Sequence, residues 1–241
     1  MTDGSTATSR EQSPRFGLVV FDVDDTLYPE IDYIRSGLAA VADHLASRGA
    51  APAADLFERM WRIFGSGDRR RVFDAVLEEL GLQGRFDVPG LVERYRSHSP
   101  VIHLRNQAVE TLVSLRRAGM SLAVVTDGPA VQQKRKADAL GLAEYVDAIV
   151  FTDCLPPGCA KPSPEAFRRL MDQFGVQGPR CMYVADNPRK DFVGPRQLGW
   201  FTLRFVDEGG VHCRESAPPG GEPHACIRDL REVLGHARAG S

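Results

Sequence analysis

A chain of 241 residues, 43% hydrophobic and 26% charged, is long enough to bury a large core and has the composition of an ordinary globular protein. A formal charge of -2 and a pI near 6.3 leave no electrostatic footprint for nucleic acid or an anionic membrane. That charge balance leads to the expectation of a small-molecule partner, and no apolar run approaches the roughly 20 residues of a membrane span.

In chain order, residues 1–15 are polar and rich in Ser and Thr. They lack the apolar centre of a signal peptide, which reads as a disordered tail on a cytoplasmic protein. The apolar run from Gly17 to Phe21 then ends abruptly in Asp22-Val-Asp24-Asp-Thr26. A short, continuously apolar run suits a strand covered on both faces in a parallel sheet. Its acidic end would lie in the crevice beyond the strand tips, where open α/β sheets place their ligands.

From residue 31 to residue 100 the pattern is helical. Helices are expected over Ile31–Arg48, Ala53–Phe64, Arg70–Leu80 and Val88–Ser97, broken at Gly49 with Pro52, at Gly65 to Gly67, and at Gly81 with Gly84. Ten Arg in this stretch are matched by six Asp and four Glu, so the module is locally neutral. It reads as an all-helical insertion that divides a core domain made of residues 16–30 and 101–241. The composition changes at both ends, and Tyr28 to Asp32 and Pro100 to Leu104 are expected linkers about which the module opens and closes.

Beyond Val101 helices and strands alternate. The expected order is helix Gln107–Arg117, strand Ser121–Thr126, helix Ala130–Leu140, strand Val146–Thr152, helix Glu165–Phe174, strand Cys181–Ala185 and a helix through Leu198. Strand Trp200–Phe205 and a closing helix Ile227–Leu234 follow, with residues 207–224 too rich in Gly, Pro and charge to join the sheet. The fold class is therefore α/β, a three-layer Rossmann-like parallel sheet with an inserted helical cap. Five cysteines without C-x-x-C spacing indicate neither a disulfide framework nor a zinc knuckle. His212, Cys213, His224 and Cys226 are the remaining metal-ligand types near one another, in a stretch that reads as a flexible loop.

Four strand-to-helix junctions carry polar groups suited to one chemistry: Asp22 with Asp24, Thr126, Lys161, and Asp186 with Asp191. In a parallel sheet such junctions share one edge, so these residues are expected to meet in one pocket. Clustered carboxylates call for a neutralising cation, and an all-oxygen donor set favours a hard ion, Mg²⁺ being the natural candidate.

The motifs Asp22-Val-Asp24-Asp-Thr26, Thr126-Asp-Gly128, Lys161-Pro-Ser-Pro and Asp186-Asn-Pro-Arg-Lys-Asp191, in this order, resemble those of the haloacid dehalogenase superfamily. The likeness is to its phosphatase branch with a helical cap after the first strand. That resemblance implies Asp22 as nucleophile forming an aspartyl-phosphate, and Asp24 as general acid and then base. It implies phosphate binding by Thr126, Asp127, Gly128 and Lys161, aided by backbone N–H groups near Val23 and Asp24, with Lys161 holding Asp22. Mg²⁺ would be held by the carboxylates of Asp22 and Asp186 and the backbone carbonyl of Asp24, with Asp191 supporting them from behind. Two departures from the family pattern stand out: Asp127 where Asn is common, adding a charge beside the phosphate, and Ala185 where Gly is frequent.

The substrate implied is a small phosphomonoester, whether sugar phosphate, nucleotide or biosynthetic intermediate. A phosphomutase shares every core motif. A 2-haloacid dehalogenase would leave Asp24 and Asp186 without a task, and a non-catalytic phosphate-binding regulator is the remaining class. Within the cap, Tyr33, Trp61 and Arg69-Arg70-Arg71 are candidates for substrate contact, against a plainer role as cap core and solvated face.

Overall fold

The computed structural model describes residues 15–67 and 69–238. The expected N-terminal tail, apart from Arg15, lies outside the described residues. Six strands form one parallel sheet: β1 (Leu18–Phe21), β2 (Ser121–Thr126), β3 (Ala148–Phe151), β4 (Cys181–Ala185), β5 (Phe201–Phe205) and β6 (Ala225–Ile227), in the spatial order β3-β2-β1-β4-β5-β6. β1 is central, with Leu18 level with Ser121 on one side and with Cys181 on the other.

The alternation of β1 explains its unbroken apolar run. Val19 and Phe21 enter one hydrophobic layer and Leu18 and Val20 the other, so no residue of the strand has a face left for water. The first layer is closed by α5 (Asn106–Arg117), α6 (Ala130–Ala139) and the terminal α9 (Val233–Ala237) through Leu112, Leu115, Ala137 and Val233. The second is closed by α7 (Glu165–Phe174) through Phe167 and Leu170, beside Phe192 and Trp200; α8 (Val193–Gln197) leads back to β5. Helices cover both faces, which is the three-layer α/β fold expected.

Between β1 and α5 stand α1 (Glu30–Ser47), α2 (Ala53–Ser66), α3 (Val72–Glu79) and α4 (Val88–Ser97). They share a separate hydrophobic cluster that includes Leu38, Leu45, Leu56, Met60, Val76 and Leu91. Helix α4 also touches α6 of the sheet layer, where the Arg135 guanidinium donates to the Ser97 carbonyl. No helix among the described residues is long and apolar enough to cross a membrane.

The C-terminus differs from expectation. Residues 225–227 form a sixth strand, with Leu203 level with Ala225 and the Val206 amide donating to the Ile227 carbonyl. The final helix starts only at Val233, after Asp229 and Glu232 close a capping box. An edge strand of three residues is too short to show periodicity, and apolar Ile227 read as the first turn of the helix. β3 is also shorter than Val146–Thr152. It begins at Ala148, after Asp147, whose side chain accepts from the Leu122 amide at 2.8 Å, and Thr152 begins a 3₁₀ turn.

Candidate active site

The carboxyl ends of β1, β2 and β4 open on a cavity of about 280 Å³. Asp22 follows β1 directly, and its amide still belongs to the ladder, donating to the Val184 carbonyl at 2.9 Å. The chain then turns sharply: the amides of Thr26 and Leu27 both donate to the Val23 carbonyl, and Asp25 sits at φ 52, in the left-handed region. An Asp tolerates that conformation because its short side chain bonds locally. Here its carboxylate accepts from the Glu30 amide at 2.9 Å and the Val211 amide at 3.3 Å.

Lys161 reaches the nucleophile candidate from the far side of the sheet edge. Its ammonium lies 2.6 Å from Asp22 Oδ1 and 2.8 Å from Asp191 Oδ1, and donates to the Tyr183 hydroxyl at 3.1 Å. Asp191 is 0% exposed, and its second oxygen accepts from the Asn187 amide at 3.0 Å. Asp22, Asp186 and Asp191 offer carboxylate oxygens within 4.8 Å of one another, the one such metal-type group among the described residues. Burial foremost, then the charges of Asp22, Asp191 and Asp25, push the Asp186 carboxyl up to about 9. Burial likewise pushes Asp22 up to about 6, against the pull of Lys161. The Asp186 carboxylate has no hydrogen-bond donor among the described residues. A crowded oxygen donor set short of positive charge is what a hard divalent cation relieves, so these residues fit Mg²⁺.

Asp24 has a different environment from Asp22. Its Oδ1 accepts from the Tyr28 hydroxyl and from the Lys136 ammonium at 2.6 Å, and its Oδ2 from the Gln133 amide at 3.2 Å. Burial acts to raise its pKa. The Lys136 charge and the three hydrogen bonds outweigh it, and the net direction is down. Gln133 and Lys136 are three residues apart on α6 and so share a face; that face turns inward, with Lys136 1% exposed. Gln133 also accepts from the Thr126 hydroxyl at 3.2 Å. Gly128 at φ 118 allows this close packing, since a Cβ there would meet Gln133 Nε2 at 2.9 Å.

Of the residues named from sequence, Asp22, Asp24, Asp127, Gly128 and Asp186 line the cavity. Lys161 and Asp191 lie buried behind Asp22, and Thr126 is 2% exposed with its hydroxyl turned to Gln133. The extra charge of Asp127 is answered by Lys190 at 3.1 Å, the Thr152 hydroxyl at 2.7 Å and the Lys161 amide at 3.2 Å. Glu30, Gln132, Gln133, Lys136, Asn187, Lys190 and His212 also line the cavity. His212 stands out in the sequence only as a metal-ligand type, and Asn187 and Lys190 only as neighbours within a motif. Glu30, Gln132, Gln133 and Lys136 do not stand out, because polar residues at i, i+3 on a helix look like solvated surface.

His212, Cys213, His224 and Cys226 do not form a metal-type group among the described residues. His212 Nδ1 donates to Glu215 at 2.9 Å and its Nε2 accepts from the Asn187 side chain at 3.0 Å. His224 instead stacks on Phe201, ring centroids 4.7 Å apart. In the helical unit, Tyr33 is buried with the Lys136 ammonium 4.3 Å from its ring centre, and Trp61 stacks between Phe57 and Phe64. Arg69 and Arg70 line another cavity between α1, α3 and α4, and Arg71 pairs with Glu78.

A family model described as a hydrolase, haloacid dehalogenase-like hydrolase, matches residues 16–199. Phosphoglycolate phosphatase 1 of Pseudomonas aeruginosa is 30% identical over 90% of this chain and 78% of its own length. Phosphoserine phosphatase of Thermus thermophilus is 28% identical over 90% of this chain and 97% of its own. Among solved structures, a HAD phosphatase from Thermococcus onnurineus is similar with a TM-score of 0.57 and 25% identity, covering 93% of this chain and all 100% of that one.

Proposed function

The chain belongs to the haloacid dehalogenase-like hydrolase family, and we propose that it hydrolyses a small phosphomonoester, with Asp22 as nucleophile and Mg²⁺ as cofactor. The observation that carries this reading is the division of labour between two aspartates two residues apart. One is locked on Lys161 inside a carboxylate cluster, and the other is drawn away onto α6. Environments that push two titratable groups apart are how a site assigns distinct roles to like residues.

Asp22 Oδ1 is fixed by Lys161, which leaves Oδ2 to attack phosphorus, forming the Asp22–phosphorus bond as the ester bond to the leaving oxygen breaks. Asp22 and Asp186 would hold the cation, with the Asp24 carbonyl, while Asp191 holds Lys161 and the Asn187 amide in place. When bound, Mg²⁺ supplies charge to offset the phosphoryl oxygens beside the carboxylates. Lys190, paired with Asp127 at the cavity wall, adds a second positive group there. Asp24 in its Lys136-bound form is a carboxylate, suited to taking a proton from the water that cleaves the aspartyl-phosphate. To protonate the departing alkoxide in the first step it must leave that contact and take up a proton from solvent, which it then passes to the leaving oxygen. Tyr33 of α1 covers Lys136, so movement of the helical unit, acting as a cap, is the natural way to release it.

Carbon–halogen displacement expels a stable anion and would use neither Asp24 nor the cation-type cluster, which is why the phosphatase reading is preferred. The test is phosphate release from an aryl phosphate. The chain with Mg²⁺ is expected to turn it over and to stop reversibly in excess chelator; undiminished turnover in chelator would remove Mg²⁺ from the reading.

A further inference from the structure

The lining of the site also bears on the alcohol half of the substrate, an inference that rests on the phosphatase reading above. All three lysines at the site are already matched by carboxylates. Lys161 sits on Asp22 and Asp191, Lys136 on Asp24, and Lys190 on Asp127. His212 spends both ring nitrogens, one on Glu215 and one on Asn187. Apart from Asp186, assigned above to the cation, two lining groups have no hydrogen-bond partner among the described residues: the Glu30 carboxyl at the start of α1 and the Gln132 amide on α6. Neither is a cation, and Glu30 adds an acid to a cavity that already holds Asp22, Asp24, Asp25, Asp127 and Asp186. The arginines Arg69, Arg70 and Arg96 line a different cavity that shares no residue with this one.

A carboxylate or second phosphate on the leaving alcohol would enter a cavity of acids whose three lysines are all engaged on binding; Lys136 comes free only as Asp24 leaves it for the proton transfer. A hydroxyl would find an acceptor in Glu30 and both donor and acceptor in Gln132. The geometry points to a substrate whose alcohol half is uncharged and polyhydroxylated, a sugar or polyol monophosphate, with Glu30 and Gln132 reading its hydroxyls. Half-buried polar groups left without a hydroxyl to bond discriminate against esters lacking one, and like charges in a small cavity discriminate against anions.

The experiment compares kcat/KM for phosphate release by the full chain with Mg²⁺ on glycerol 3-phosphate, 3-phosphoglycerate and propyl phosphate, with an aryl phosphate as reference. Glycerol 3-phosphate and 3-phosphoglycerate differ only in a terminal CH₂OH against a carboxylate. The expected result is a preference of at least about tenfold for glycerol 3-phosphate over each of the other two. Glu30→Gln is expected to narrow the ratio against 3-phosphoglycerate, and Gln132→Ala the ratio against propyl phosphate. Equal or better turnover of 3-phosphoglycerate overturns the inference, and its loss in Arg69→Ala would transfer specificity to the cavity of the helical unit. Ratios unchanged in both site variants overturn it as well. Turnover of the aryl phosphate in those cases leaves the phosphatase reading standing, whereas no hydrolysis of any of the four esters removes both.

Discussion

The sheet edge and the helical unit hold their charges in opposite ways. At the sheet edge Lys161, Asp22 and Asp191 are buried together, each with its partners fixed by a strand end or a turn. In the helical unit the ion pairs are on the surface: Arg62 meets Glu79 at 2.7 Å with 59% of the Arg62 side chain exposed, and Arg71 meets Glu78 at 3.1 Å. Buried charges have no water to fall back on, so position matters to within a bond length; surface charges exchange partners at little cost. Chemistry that must be the same for every substrate belongs in the first environment.

The sharpest way to test that contrast is to remove the group at its centre. Asp22→Asn is expected to lower aryl phosphate hydrolysis by more than about 10⁴-fold, because no other carboxylate occupies the place of the nucleophile. A chain that keeps its thermal transition and its activity would refute the assignment. Next in size is Lys161→Met, which leaves Asp22 and Asp191 buried without their cation. Breaking one side of a buried pair typically costs about 3–5 kcal/mol, to be read from urea unfolding. A loss below about 1 kcal/mol would place the lysine in the surface class.

The third test uses pH. Asp186 is raised from 3.8 to about 9 and Asp22 from 3.8 to about 6, in both cases first by burial. A carboxyl whose folded value is raised holds its proton more tightly when folded. Its contribution is complete below the unfolded value of 3.8 and is lost as pH climbs through about 6 for Asp22 and about 9 for Asp186. A cation replaces those protons, so the rise in Tm on adding Mg²⁺ should grow from pH 5 to pH 9; a constant increment would contradict the carboxylate site. The smallest effect is expected for Arg62→Ala, at most about 1 kcal/mol in the same urea assay.

The same contrast explains what the sequence made legible. β2 and β4 run over Ser121–Thr126 and Cys181–Ala185 as read from their apolar runs, because strands buried on both faces admit nothing else and the polar residue that ends each is abrupt. The cluster of Asp22, Asp186 and Lys161 was legible for the same reason, being set by topology once the junctions are placed. Lys136 and Gln133 were not. Their spacing belongs equally to a solvated helix, and only the turn of α6 toward Asp24 decides between the two. β6 escaped because its partner lies across a loop whose path is fixed by contacts such as Arg204 with the carbonyls of Asp186 and His212, which no local pattern encodes.

The register of β1 has a consequence for how the molecule is made. Its neighbours on both sides, at Ser121 and Cys181, follow it in the chain only after all four helices of the inserted unit. During synthesis on a ribosome, Leu18 to Phe21 therefore emerge first and wait as an unpaired apolar ribbon while α1 to α4 can already collapse on their own cluster. The nascent strand that leads to Asp22, the proposed nucleophile, stays unpaired through that interval, and a chain stalled before β4 would expose it without ever acquiring Asp186.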